Sequence, residues 1–206
     1  TFDWNLAKPW ISDKVSEATE RSFAINGDLS LSWEPPAQKQ SGWRRLIPWP
    51  HFRAQGIVLG NPQWASTGPA MARVQQVDFS IGLLALFQKT IRIPSLLLTE
   101  PNLILEKDQG TRNNWTFPKS DHGKSRWQLD IQNLGITHGK VRYVDPVKKA
   151  DVVAQINTFK DGSISWKLSG LFNEEKLSGE GQAGALLSLQ SAKTRYPVKA
   201  SVKIGG

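Results

Sequence analysis

The sequence predicts a mainly β chain, an α+β arrangement in which a long, twisted antiparallel sheet follows one N-terminal amphipathic helix. Three observations carry this. Runs of alternating apolar and polar residues recur roughly every ten to twenty positions, and residues two apart share one face of a strand. Seventeen Gly and twelve Pro punctuate the runs, the composition of a turn-rich β chain. Helical spacing is confined to the N-terminus and one short leucine cluster, so no crossover helices are at hand to join parallel strands, and antiparallel pairing is expected.

The helix is expected from Leu6 to Ser22, where Ala7, Ile11, Val15, Ala18 and Ser22 form one stripe at steps of three and four. Asn5 is the expected cap, and Pro9 falls in the first turn, where a missing N–H costs little. Phe23 to Trp33 alternates as a half-buried strand, bent or bulged at Asn26-Gly27-Asp28 because the alternation runs through in phase. Pro35-Pro36 stops it. Phe52 to Leu59 and Ala72 to Ile81 read as strands, and Gly82 to Gln88 as a short helix because its leucines do not alternate.

The chain is organised around Ala72 to Phe117. Ile91, Ile93, Ser95, Leu97, Thr99, Pro101, Leu103 and Leu105 fall in one phase, giving one almost wholly apolar face. The opposite phase, from Arg92 through Leu96 and Leu98 to Glu106, is mixed. Residues 118–126 are polar with no apolar anchor, the composition of a mobile connection. They divide the chain into 1–117, the helix and first strands, and 127–206, a continuing sheet. In the second part Trp127, Leu129 and Ile131 alternate, His138-Gly139 marks a turn before Val141 and Tyr143, and later strands are expected at 152–158, 163–168, 176–183 and 198–204.

Composition narrows function. A net charge of +8 suits nucleic acid, an anionic membrane or acidic glycans. The basic residues are scattered singly and no nucleic-acid-binding pattern occurs, so nucleic acid is not an expected partner. Nine Trp against two Tyr suggests half-wet surfaces such as grooves or bilayer boundaries. No apolar segment is long enough to cross a bilayer as a helix. His51, His122 and His138 lie in separate segments without ligand spacing, no nucleotide or hydrolase motif occurs, and Asp145 and Asp161 sit where turns favour Asp. No catalytic residue, metal or cofactor is expected. The stretch Trp43, Arg44, Arg45, Leu46, Ile47, Pro48 and Trp49 mixes aromatic, basic and aliphatic residues without a sheet period. It suits either a membrane-interface contact or a loop folded back on a sheet edge.

Ala72-Arg73-Val74, the run Leu83, Leu84 and Leu86, then Ile91, Ile93, Leu97, Pro101, Leu103, Leu105, Gly110 and Asn114-Trp115-Thr116-Phe117 resemble, in order and spacing, the N-terminal region of the AsmA family. The resemblance extends to Phe2–Trp33 and, more weakly, to 129–145 and 168–202. It implies a periplasmic protein held at the inner membrane by an N-terminal anchor outside this sequence. Its sheet would form an open groove for phospholipid acyl chains, without enzymatic activity, with the inner-membrane surface and other envelope proteins as partners. The groove-lining residues are then expected to be Ile91, Ile93, Leu97, Leu103, Leu105, Trp127, Leu129, Val141, Tyr143 and Trp166. The loop from Trp43 to His51 would touch the membrane. A carbohydrate-binding β-sandwich, with Trp stacked on sugars, fits the alternation and the Trp excess equally well.

Overall fold

A computed structural model describes residues 3–35, 48–87, 89–117, 128–159, 161–184 and 198–205. A 3-10 turn, Trp4–Ala7, leads into helix α1, Lys8–Thr19. The strands are β1 (Phe23–Ile25), β2 (Leu29–Glu34), β3 (Trp49–Gly60), β4 (Ala70–Ser80), β5 (Thr90–Ile93), β6 (Leu96–Thr99), β7 (Asn102–Glu106), β8 (Gln128–Ile131), β9 (Leu134–Thr137), β10 (Gly139–Asp145), β11 (Ala150–Thr158), β12 (Ile164–Phe172), β13 (Glu175–Ala183) and β14 (Val198–Ile204). A single-turn helix α2, Leu83–Leu86, stands between β4 and β5.

Twelve strands form one open sheet, in the order β1-β3-β4-β7-β10-β11-β12-β13-β14, with β2 beside β3 and with β6 and β9 branching from β4. β5 and β8 form a separate two-stranded ribbon. The mainly β fold with an N-terminal helix is as the alternation implies, but the sheet is mixed. β5 with β8, β6 with β9 and β7 with β10 run parallel. Each partner lies 38 positions ahead: Thr90 with Gln128, Leu96 with Leu134, Asn102 with Lys140. Two copies of a three-strand rung thus stack on each other. The chain between β7 and β8 makes the return that a helix would otherwise make, which is why an absent crossover helix did not exclude parallel pairing. The β7–β10 pairing also welds residues 1–117 to 127–206 as one sheet.

The expected single strand from Ile91 to Leu105 is instead three short strands separated by corners. Glu100 takes a left-handed backbone, φ +48, and His138 takes φ +52 at the matching corner of the second rung; the expected turn at His138-Gly139 is this corner. Gly56, φ +64, marks the same line in β3, facing Gly27 between β1 and β2. The sheet is therefore creased along one line. Across it the apolar phase advances by three residues rather than two, from Leu98 to Pro101 and from Ile136 to Gly139. A Cβ on Gly139 would stand 2.5 Å from Ile136 Cγ2 and 3.5 Å from Pro101 Cγ, so both sides of the step share one surface.

The helix seals one edge of the sheet. Asn5 does not cap α1 as expected: Asp3 Oδ1 accepts the Asn5 N–H at 3.0 Å. Asn5 Oδ1 instead accepts the Leu29 N–H of β2 at 3.0 Å. Ser16 Oγ accepts the Phe23 N–H at 2.9 Å, and Lys8 Nζ donates to the Gly27 carbonyl at 2.9 Å. Edge groups without strand partners are thus satisfied by side chains.

The crease generates a test. A Cβ on Gly56 would lie 2.9 Å from the Gly27 nitrogen in a left-handed backbone, so Gly56→Val should cost about 2 kcal/mol. Urea unfolding reads this, and an unchanged midpoint would show that the crease needs no glycine.

Candidate functional site

Paired residues of neighbouring strands project to the same side, so the registers define each surface of the sheet. One row runs Phe23, Leu59, Ala72, Leu103, Val141, Ala154, Leu168, Gly179, Val202 across nine strands. A second runs Leu105, Tyr143, Val152, Gly170, Leu177, Ile204. A third runs Gly139, Ile156, Trp166, Gly181, Ala200. No ionisable side chain other than the Tyr143 phenol interrupts these rows. Beyond the crease the same surface continues through Leu96 and Leu98 with Phe79 and Val77, and Phe79 stacks on Phe52 at 5.2 Å.

The opposite surface is polar, with Arg73, Asn102, Lys140, Gln155, Lys167, Glu180 and Ser201 in one row. Two shallow hollows of about 500 and 680 Å³ open over β11–β14 and share Gln155, Lys167, Glu180 and Ser201. Both are mixed in character, with Lys167 and Glu180 among apolar neighbours such as Leu168 in one and Trp166 in the other. The apolar candidate is an open surface instead. Every member of the nine-strand row is half-buried except Val202, which is 53% exposed. Small residues keep it shallow, and the Trp166 indole lies across Gly181, where a Cβ would collide with it.

The expected groove residues divide. Leu103, Leu105, Val141, Tyr143 and Trp166 lie together in the apolar rows. Leu97 does not: it pairs with Asp78 on the polar side and is 50% exposed. The corner at Glu100 is the reason, because the phase counted straight through it exchanges the two faces of β6. Ile91 and Ile93 form the half-buried phase of the β5–β8 ribbon, outside the rows, with Arg92 on its wet side. Leu129 pairs with Ile91 through its backbone, and Trp127 lies outside the described residues. Leu96, Leu98, Ala154, Leu168 and Val202 were missed; the 38-residue repeat and the later strands' alternation carried the signal for them.

Of the expected membrane-interface set, Trp43, Arg44, Arg45, Leu46 and Ile47 lie outside the described residues. Trp49 opens β3 opposite Glu34, only 6% exposed, with its ring beside Gly82. It is packed into the protein and does not fit an interface contact.

Buried carboxylates hold loops against the sheet. Glu106 accepts from the N–H and Oγ of Ser66, at 2.8 and 2.7 Å, and of Thr67, at 3.0 and 2.5 Å. Burial alone would raise its carboxyl, but these four bonds outweigh it and hold the group below its ordinary 4.5. Asn114, wholly buried, accepts the Glu106 N–H and donates to the Ile104 carbonyl and to Asn61. Asp145 accepts from the Tyr143 hydroxyl at 2.8 Å and from the N–H groups of Val147 and Lys148, the turn role that its position suggests. Burial, then this bond and the Asp145 charge, push the Tyr143 phenol up to about 12. Trp115 packs on Tyr143 at 6.2 Å, and Arg21 reaches over Phe117 at 5.9 Å. The Asn-Trp-Thr-Phe segment thus ties the bend after helix α1 to Tyr143 in the second apolar row. Among the described residues no three His, Cys, Asp or Glu groups gather as metal ligands.

An open sheet with one apolar and one polar face, sealed by a helix at its first edge, defines a class of one-sided β-platform, neither a closed barrel nor a two-sheet sandwich. The chain belongs to the AsmA family, whose model matches residues 1–193. AsmA family protein YhjG of Escherichia coli (strain K12) is 34% identical over 233 aligned positions, which cover 100% of this chain and 34% of that protein. The chain therefore spans about a third of that relative's length. No solved structure matches.

The Glu106 latch is testable by pH. Its folded value is lowered, so its contribution to stability is complete above the ordinary 4.5 and is lost as pH falls through the folded value. Glu106→Gln should cost about 1–3 kcal/mol near neutral pH and flatten the acid limb of stability against pH. An acid limb as steep as the parent's would show that other carboxylates govern it.

Proposed function

We propose that this chain is a non-enzymatic lipid-handling protein of the cell envelope. In this reading it is the membrane-proximal start of a periplasmic β-groove whose apolar surface shelters phospholipid acyl chains between the inner and outer membranes. Family membership supports the coarser part, a role in lipid transport or envelope assembly. One observation carries the finer part: the apolar row from Phe23 to Val202 that crosses nine strands without a charge. Each methylene moved from water onto such a surface contributes roughly 0.8 kcal/mol. A chain laid along the row would be held without a charged anchor, and headgroup selectivity would be low. An inner-membrane anchor preceding the helix belongs to the same proposal. No helix among the described residues is long and apolar enough to cross a membrane.

Site-specific photo-crosslinking in the cell envelope tests the reading. A photoreactive residue at Leu103, Val141 or Leu168 should yield phospholipid adducts, whereas one at Lys140 or Lys167, on neighbouring positions of the same strands, should not. Equal labelling of both faces, or glycan adducts in place of lipid, would overturn it. The charged substitution Leu103→Glu should abolish adducts at Val141, its register partner, while the urea midpoint stays within about 1 kcal/mol of the parent.

A further inference from the structure

The polar face carries cations of two kinds. Arg53 meets Asp78 and Arg142 meets Asp151, each in a close ion pair. Arg73, Lys140 and Lys167 form no ion pair among the described residues, although Glu180 is the cross-strand neighbour of Lys167. Their side chains are exposed, as are those of Asn102 and Gln155 between them. Outside the described residues the sequence holds one acidic residue, Asp121, so this chain has little counter-charge left to bring to the three. All five residues stand on strands with neighbours on both sides, β4, β7, β10, β11 and β12. Their arrangement depends on neither edge of the sheet.

Register sets their order. Arg73 pairs with Asn102, Asn102 with Lys140, Lys140 with Gln155, and Gln155 with Lys167. Cation and amide thus alternate in one row across five strands. Neighbouring strands lie about 4.8 Å apart, so the cations repeat about every 10 Å. That is close to the length of a disaccharide. We propose that this row is a binding site for an acidic polysaccharide in which charged and neutral sugars alternate. Each cation would face a carboxylate. Each amide, able both to donate and to accept, would take the hydroxyls of the neutral sugar between. Gln155 and Lys167 also line both hollows, with Ser165 in one and Ser169 and Ser178 in the other, so one end of the row is recessed and rich in hydroxyls. A bilayer surface fits less well, because it cannot enter a recess and because the row from Arg73 to Lys167 offers no apolar side chain for insertion. The site lies on the face opposite the apolar rows and does not depend on lipid occupying them.

Fluorescence polarisation at fixed ionic strength, with two labelled oligosaccharides of equal length added to the 206-residue chain, tests this. In hyaluronan acidic and neutral sugars alternate, whereas in polygalacturonate every sugar is acidic. The hyaluronan probe should bind more tightly although it carries half the charge. Arg73→Gln, Lys140→Gln and Lys167→Gln should each weaken it about threefold, and the triple variant about thirtyfold. The urea midpoint should not move, because the cations removed are exposed and unpaired among the described residues. Lys14→Gln, on helix α1, removes the same charge and should leave the affinity unchanged. Tighter binding of polygalacturonate would show attraction by total charge alone and overturn the proposal. An equal loss in Lys14→Gln, full affinity in the triple variant, or no binding of either probe would overturn it too. Displacement of hyaluronan by phosphatidylglycerol vesicles would assign the row to a membrane surface and overturn it as well.

Discussion

A sheet that bends sharply must keep its two faces from changing places, and everything else in this protein depends on how it does so. Strand side chains alternate with a period of two, so a corner that consumes a residue would put the apolar row on the wrong side. Left-handed residues at Gly56, Glu100 and His138 make the step three residues long on the crease, and the row emerges on the side it left. For Glu and His this backbone is uncommon and costs about 1–2 kcal/mol. The cost is borne at homologous corners of two stacked rungs, where backbone hydrogen bonds hold the chain in place: the Glu100 N–H on Thr137 and the Lys140 N–H on Pro101, at 2.8 and 2.7 Å.

Among the described residues few apolar side chains are fully buried, so stability has to come from elsewhere than a sealed core. The fully buried apolar set is small and rich in alanine: Ala54, Ala70, Ala85 and Ala150 stand beside Leu29, Trp49, Met71 and Ile164. Polar groups are buried instead. Glu106, Asn114 and Asp145 are nearly or wholly inaccessible, each with several hydrogen-bond donors or acceptors in place. On the polar face Arg142 meets Asp151 through two bonds of 2.8 and 2.7 Å, and Asp78 takes Arg53 and Gln76, each at 2.6 Å. Satisfied networks of this kind fix one arrangement, where a dry core would do the same by packing.

Local elements were legible in the sequence because each is written in its own alternation. The Asn26-Gly27-Asp28 bend, the short helix after Ile81, and the last strand at 198–204 lie where periodicity puts them. What periodicity does not carry is phase across a left-handed residue, so Leu97 was counted with Leu103 although Asp78 is its neighbour. Nor does it carry pairing direction, which here depends on a repeat in which few identities survive: Ile-Arg-Ile matches Leu-Asp-Ile, and Leu-Leu-Leu-Thr matches Leu-Gly-Ile-Thr. Trp49 misled for a third reason. A Trp beside Arg and Pro has the composition of a membrane-facing loop, but its pairing with Glu34 and its place beside Gly82 belong to the tertiary structure.

The small residues of the later strands set what the apolar surface can hold. Gly170, Gly179 and Gly181, with Ala154 and Ala200, leave a floor without tall side chains, and glycine inside a strand ordinarily weakens it. The weakening is offset where a neighbour covers the bare backbone: the Trp166 ring lies over Gly181, and Leu168 stands 3.3 Å from where a Gly179 Cβ would be. A floor lined with leucines at these places would fill itself. With glycine and alanine there, the surface stays low and its contacts are non-directional, which is what the proposed lipid-handling role would require. The same choice accounts for the lack of charge within the three rows, the Lys107–Asp145 pair standing beyond their end. A single lysine among these rows would have to be desolvated by every apolar chain laid along the sheet.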